Sequence, residues 1–212
     1  MIELIKVTKT FKKEQVLKET TVTFEKGKIT GIIGRNGSGK TVLMKMICGL
    51  LSPTSGTVVV NGERIGKDVD FPTDIGIIIE TPSFVPHQSA LTNLKNLAAI
   101  RGKVKEERIK EVIELVGLNP NDKKRVGKFS LGMRQRLGIA QAIMEDPALL
   151  VLDEPMNGLD KGGVEDMRKL FKELKEEGKT ILLCSHNAED IAVLCDEVYE
   201  MEKGVMSRVS DS

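Results

Sequence analysis

Residues 34–41 read Gly-Arg-Asn-Gly-Ser-Gly-Lys-Thr, which fits G-x-x-x-x-G-K-[ST], the pattern of a loop that cradles phosphate. Such a loop works only between a strand and a helix, and the flanks supply both. Ile29-Thr30-Gly31-Ile32-Ile33 is a β-branched run of the kind that makes a buried strand. Val42-Leu43-Met44-Lys45-Met46-Ile47-Cys48 places apolar residues at helical spacing.

The residue types follow from the chemistry. Gly34, Gly37 and Gly39 let main-chain N–H groups turn towards phosphate oxygens and tolerate positive φ. A helix beginning near Lys40 adds the partial positive charge of its N-terminus. Lys40 is expected to reach the β- and γ-phosphates, and the Thr41 hydroxyl to ligate Mg²⁺. Arg35, Asn36, Ser38 and Val42 complete the candidate contacts around the loop.

A chain of 212 residues suffices for one sizeable domain, or a domain carrying a subdomain. Its net charge of +1 gives no support to nucleic-acid binding. The absence of Trp and the single Tyr argue against a base-stacking surface. Cys48, Cys184 and Cys195 lack the paired spacing of a metal site and read as small core residues. The first residues alternate like a strand and lack a signal-peptide layout. No apolar run approaches membrane-spanning length, so any spanning segments are expected from other chains.

Periodicity divides the chain. Residues 2–33 read as short strands, followed by strands over 57–60 and 74–79, with Asn61-Gly62 as a hairpin signal. The pattern turns helical from about Leu91 to Met144, with an amphipathic helix over 104–116 that Gly117 ends. Strands and helices alternate again from Ala148, which implies a parallel sheet covered on both faces. The expectation is one domain over 1–212. Segments 1–80 and 146–212 form an α/β nucleotide-binding core, with a helical segment, 81–145, inserted in it.

Two further segments carry candidate chemistry. Leu149-Leu150-Val151-Leu152-Asp153-Glu154 is an apolar run ending in two carboxylates, and open α/β sheets bind ligands at strand carboxyl ends. Asp153 is placed to hold Mg²⁺ through water, and Glu154 to take the proton of an attacking water. His186, just past the apolar strand Ile181–Cys184, is a candidate γ-phosphate sensor or simply a surface histidine. Ser130 and Gly132 open a helix in the way that builds an anion site, although an ordinary N-cap looks the same.

Taken in order, these motifs resemble the ABC ATPases: phosphate loop 34–41, a Ser-x-Gly-x-x-Gln signature at 130–135, the acidic strand end at 149–154, Asn157-Gly158-Leu159-Asp160, and His186. The resemblance spans nearly the whole chain. It implies a P-loop NTPase fold, α/β in class, with an antiparallel β subdomain and an inserted helical subdomain. It implies Glu154, His186 and Lys40 as catalytic residues, with ATP and Mg²⁺ as cofactors. It also implies two ATPase subunits stacked head to tail, each ATP touching one chain's phosphate loop and the other's Ser130 and Gly132, with Gln135 and Asp160 also among the ATP-binding residues. Phe11 would stack on adenine with Val16 nearby, or else be a strand-end core residue. A transmembrane permease would be the partner, at the cytoplasmic face of a bacterial plasma membrane.

Where the family has a glutamine after the strand over 75–79, this chain has Glu80-Thr81-Pro82-Ser83-Phe84. That replacement resembles the bacitracin-resistance and lantibiotic-immunity ATPases, which protect bacteria from peptide antibiotics. Glu80 either joins Thr41 and Asp153 at the metal or faces the permease. A non-transport ABC ATPase acting on nucleic acid or ribosomes is the alternative. Relatives of that kind usually carry coiled-coil insertions, zinc modules or tandem units, and none is evident here.

Overall fold

A computed structural model describes residues 1–209. In chain order these form β1 (Ile2–Phe11), β2 (Glu14–Phe24), β3 (Ile29–Ile33), α1 (Lys40–Ile47), β4 (Ser55–Val60), β5 (Glu63–Arg64) and β6 (Ile75–Ile78). There follow α2 (Ala90–Arg101), α3 (Glu106–Leu115), α4 (Leu131–Ile143), β7 (Leu149–Asp153), α5 (Lys161–Glu176), β8 (Thr180–Cys184), α6 (Ala188–Leu194), β9 (Glu197–Glu202) and β10 (Val205–Arg208). The last positions of the expected domain, 210–212, lie outside the described residues.

Two sheets result. One is antiparallel, in the order β2-β1-β4-β5. Its β4–β5 hairpin turns through Asn61 (φ 51) and Gly62 (φ 88), both left-handed, as a tight two-residue turn requires. The other runs β10-β9-β3-β8-β7-β6 and is parallel from β9 to β6. Parallel strands need both faces covered, and β7 and β8 are buried at every residue.

Alternation along those strands assigns each face to a different core. Leu149 and Val151 of β7, with Leu182 and Cys184 of β8, pack towards α1 and the antiparallel sheet. Leu150, Leu152, Ile181 and Leu183 pack towards α4 and α5 on the opposite face. Helix α1 lies between the two sheets with Leu43, Met44, Met46 and Ile47 buried among Leu4, Val58, Val151 and Leu182. Trimming one such side chain to alanine costs about 2–5 kcal/mol. Phe24 and Tyr199 close this core edge-on, with ring centres 5.4 Å apart. The helix bearing the phosphate loop is therefore clamped from two sides.

Helices α2, α3 and α4 follow one another between β6 and β7. α3 begins two residues later than the amphipathic pattern suggests and buries Ile109, Val112 and Ile113; Gly117 (φ 74) follows its end. Strand β10 is an addition to the sequence reading. It pairs antiparallel with β9 through a turn at Lys203 (φ 47) and Gly204 (φ 77). Lys-Gly is a weaker hairpin signal than Asn-Gly, so this turn did not stand out. The strands over residues 2–24 are also longer than the short ones expected, at 10 and 11 residues.

Candidate functional site

Strand β3 and helix α1 are joined by the phosphate loop. Gly34 (φ 144), Gly37 (φ 78) and Gly39 (φ 111) occupy positive φ, and Gly39 caps α1. At Gly34 a Cβ would stand 2.2 Å from the main-chain oxygen of Met201 in β9, so no other residue fits there without moving backbone. Lys40 is folded back into the loop it follows. Its Nζ donates to the carbonyls of Gly34 (2.6 Å) and Arg35 (3.2 Å), and the residue is only 7% exposed. The Ser38 hydroxyl is buried in the same loop with no hydrogen-bond partner.

Strand β7 delivers the two carboxylates. The Thr41 hydroxyl donates to Asp153 Oδ2 at 2.7 Å, which joins the start of α1 to the end of β7. Glu154 then leaves the strand through a left-handed conformation, φ 50, that a non-glycine residue holds only under local constraint. Its N–H donates to the Cys184 carbonyl (3.0 Å), and its own carbonyl accepts from the Gln135 side-chain amide (3.2 Å). Its carboxylate Oε2 lies 2.8 Å from His186 Nδ1. Beneath them the Cys184 thiol is pushed well above its usual pKa by burial, with the Asp153 charge adding to the effect. Cys184 is thus a buried, protonated thiol behind the site rather than part of its lining.

A cleft of about 350 Å³ opens over this cluster, lined by Asn36, Gly37 and the stretch 39–42 of the loop and helix start, by Val16 of β2, and by Asp153 and Glu154. The fold thereby brings together the expected Val16, Lys40, Thr41, Val42, Asp153 and Glu154, with His186 touching Glu154. A buried hydroxyl without a partner, a lysine resting on carbonyls and a Thr–Asp pair suit a triphosphate and its metal.

Other expected residues sit elsewhere. Phe11 ends β1, is 43% exposed, and has Lys9 Nζ 4.9 Å from its ring centre; it does not line the cleft. Ser130 caps α4 by accepting from the Met133 N–H at 3.1 Å, and Gly132 backs onto the carbonyl of Gly158. Both lie outside their own chain's cleft. Asp160 caps α5 by accepting from the Gly163 N–H at 2.9 Å.

Gln135 is 5% exposed, and its side-chain amide donates to the Glu154 carbonyl at 3.2 Å. Glu80 does not line the cleft with Thr41 and Asp153. Its carboxylate pairs with Lys45 Nζ at 2.6 Å, and it lines a separate hollow with Thr81, Pro82 and Gly138. Among the described residues no three His, Cys, Asp or Glu side chains converge as a metal centre. A nearby ammonium on α1 offers Glu80 a partner of opposite charge, whereas Asp153 offers repulsion.

Lys45 and Met201 are the contributors that sequence reasoning missed. Lys45 carried no signal beyond a basic residue within an apolar helix. Met201 acts through its main-chain oxygen, which any residue possesses.

Parallel sheet, phosphate loop and acidic strand end together define a phosphate-loop nucleoside triphosphatase. Residues 17–157 match the family described as ABC transporter. The chain is 46% identical to an uncharacterized ABC transporter ATP-binding protein, YybJ, of Bacillus subtilis (strain 168), over 96% of this chain and 94% of that one. It is 42% identical to the bacitracin transport ATP-binding protein BcrA of Bacillus licheniformis, over 96% of this chain but 67% of that longer one. It is 39% identical to the lantibiotic transport ATP-binding protein SrtF of Streptococcus pyogenes, over 92% of this chain and 84% of that one. Among solved structures, the ATP-binding cassette MJ0796, a dimer bound to ADP and Pi, superposes with a TM-score of 0.88 over 100% of both chains at 24% identity. The chain belongs to the ABC transporter family, as its ATP-binding and ATP-hydrolysing domain. Cassettes of this family dimerise and work with a transmembrane permease. Among the described residues no helix is long and apolar enough to cross a membrane.

Proposed function

We propose that this chain drives the removal of antimicrobial peptides, such as bacitracin or lantibiotics, from a bacterial envelope. It would act as one of two ATPase subunits on the cytoplasmic face of the plasma membrane, beneath a permease. The peptide class is supported by the names of the relatives at 39–42% identity. Those names also favour the transporter over the alternative of an ATPase acting on nucleic acid or ribosomes.

The observation that carries the hydrolytic reading is the contact of His186 with Glu154 at the mouth of the phosphate-loop cleft. Lys40 exchanges its loop carbonyls for phosphate oxygens. The loop N–H groups and the N-terminus of α1 hold the same charge. Thr41 and Asp153 are the residues that would hold Mg²⁺, which when bound supplies neutralisation of the phosphate charge. Glu154 accepts the proton of the attacking water, and His186 holds that carboxylate in place. Ser130 and Gly132 lie outside their own cleft and are free to complete the site of a second chain, identical or different. Residues 81–145 would be the segment that passes closure on to the permease.

Two measurements test this. Glu154→Gln should bind Mg-ATP and stop turnover, and a surviving rate would remove Glu154 as the base. Expression of the chain with its permease in a susceptible bacterium should raise resistance to bacitracin or a lantibiotic. Unchanged resistance, with ATP turnover intact, would remove the peptide reading alone.

A further inference from the structure

His186 is held by almost nothing of its own. Its side chain is 68% exposed, and Glu154 is its recorded polar partner. Where the ring points therefore depends on the main chain from 185 to 187. That stretch is fixed from below by a buried polar chain that runs across three elements.

The chain begins at Arg168 on α5, which is 4% exposed. Its Nε and Nη2 donate to Asp190 Oδ1 at 3.0 and 2.6 Å, and Nη1 donates to Glu165 (2.7 Å) and Glu189 (3.1 Å). Asp190 on α6 is 3% exposed. Its second oxygen, Oδ2, accepts from the Ser185 hydroxyl at 3.3 Å. The Ser185 oxygen in turn accepts the Asn187 N–H at 3.1 Å, bridging the residue on either side of His186. The hydrogen bonds it donates to Glu189, and then to Asp190, raise the guanidinium pKa above its ordinary value although burial works to lower it. A buried ion pair contributes little net stability, and its best-attested use is to specify one arrangement.

We propose that Asp190, anchored by Arg168 and acting through the Ser185 hydroxyl, is the positioning residue that aims His186 at Glu154. The inference rests on the reading of His186 and Glu154 as the hydrolytic pair. Neither Asp190 nor Ser185 touches the cleft, so their effect travels through the loop main chain.

Ser185→Ala removes the link and leaves the ion pair intact. In the assembled transporter it should lower kcat for ATP about tenfold to a hundredfold, the usual cost of a misplaced catalytic group. KM for ATP should stay near wild type and the variant should remain folded at the assay temperature, with its melting temperature lowered by the lost buried hydrogen bonds; Ser185→Thr, which keeps the hydroxyl, should restore kcat. Should Ser185→Ala not fold, Asp190→Glu keeps the charge but displaces the carboxylate, and carries the same expectation. A kcat for Ser185→Ala within about twofold of wild type overturns the inference, as does a KM that rises as kcat falls, or a Thr variant no better than Ala. His186→Ala separates the two levels. Lost turnover there with normal turnover in Ser185→Ala sinks the inference alone; wild-type turnover there removes the hydrolytic reading and the inference with it.

Discussion

The Thr41 hydroxyl and the Asp153 carboxylate meet at 2.7 Å, so the first turn of α1 and the end of β7 are joined where a metal would be held. A ligand set assembled in advance needs little rearrangement on binding. Asp153→Asn keeps the shape and removes the charge. The Mg²⁺ concentration for half-maximal turnover should then rise about 10–100-fold, as is usual when a group supporting a metal is lost. A metal titration of ATP turnover checks this.

Gln135 offers a test that separates two roles. Its amide is buried against the Glu154 carbonyl. Gln135→Ala leaves that carbonyl without its partner, and should cost about 1–3 kcal/mol of stability. Denaturant unfolding of the isolated chain without nucleotide measures it. A residue that served only a partner's nucleotide would leave that curve unmoved.

Gly34→Ala should weaken Mg-ATP binding at least about tenfold, or about 1.4 kcal/mol. The added methyl would sit 2.2 Å from the Met201 oxygen and must push the loop or β9 aside. Calorimetric titration reads the affinity directly. Gly178→Ala is the control, because it lies outside the cleft and a Cβ there meets nothing within 4 Å and suffers only the positive φ.

The Glu80–Lys45 pair is half exposed, with side chains 65% and 33% accessible. Pairs of that kind contribute about 0–1 kcal/mol. Glu80→Gln should therefore leave stability and ATP affinity within about 1 kcal/mol of wild type. Its effect, if Glu80 faces the permease, belongs in coupling: peptide resistance changes while basal turnover does not. Resistance assays run beside ATPase assays decide it.

Glu106, at the start of α3, is held at about 2 by hydrogen bonds from Lys95 of α2, first, and then Lys110. A depressed carboxylate stabilises above its unfolded value of 4.5 and stops doing so as pH falls towards about 2. Carbon NMR of the Glu106 carboxyl should show a midpoint near that lower figure, and Lys95→Met should move it up towards the ordinary carboxylate range.

What could be read before folding was whatever is local. Gly34 to Thr41 carry their chemistry in adjacent residues, and Leu149 to Asp153 announce a buried strand by composition alone. Family order then supplied roles for Ser130, Glu154 and His186. Pairings between distant segments were not legible. Glu80 could be read towards the metal or towards the permease, and its pairing with Lys45 on another element was not legible, because charge alone does not say which charges meet. Gln135 had a polar side chain at a motif position, and only packing shows that it faces inward. Arg168 and Asp190 read as two more charges on amphipathic helices until α5 and α6 are brought side by side.

The wall behind Gly34 has a consequence for how the protein is made. The phosphate loop leaves the ribosome before the Met201 carbonyl that limits it, since that residue follows Thr41 in the chain. Asp153, Cys184 and His186 also follow the loop. A nascent chain therefore carries the nucleotide motif before the surroundings that shape it exist. The wall behind Gly34 is complete only once β9 has docked, and a ligand that prefers the completed site would stabilise the chains that have reached that stage.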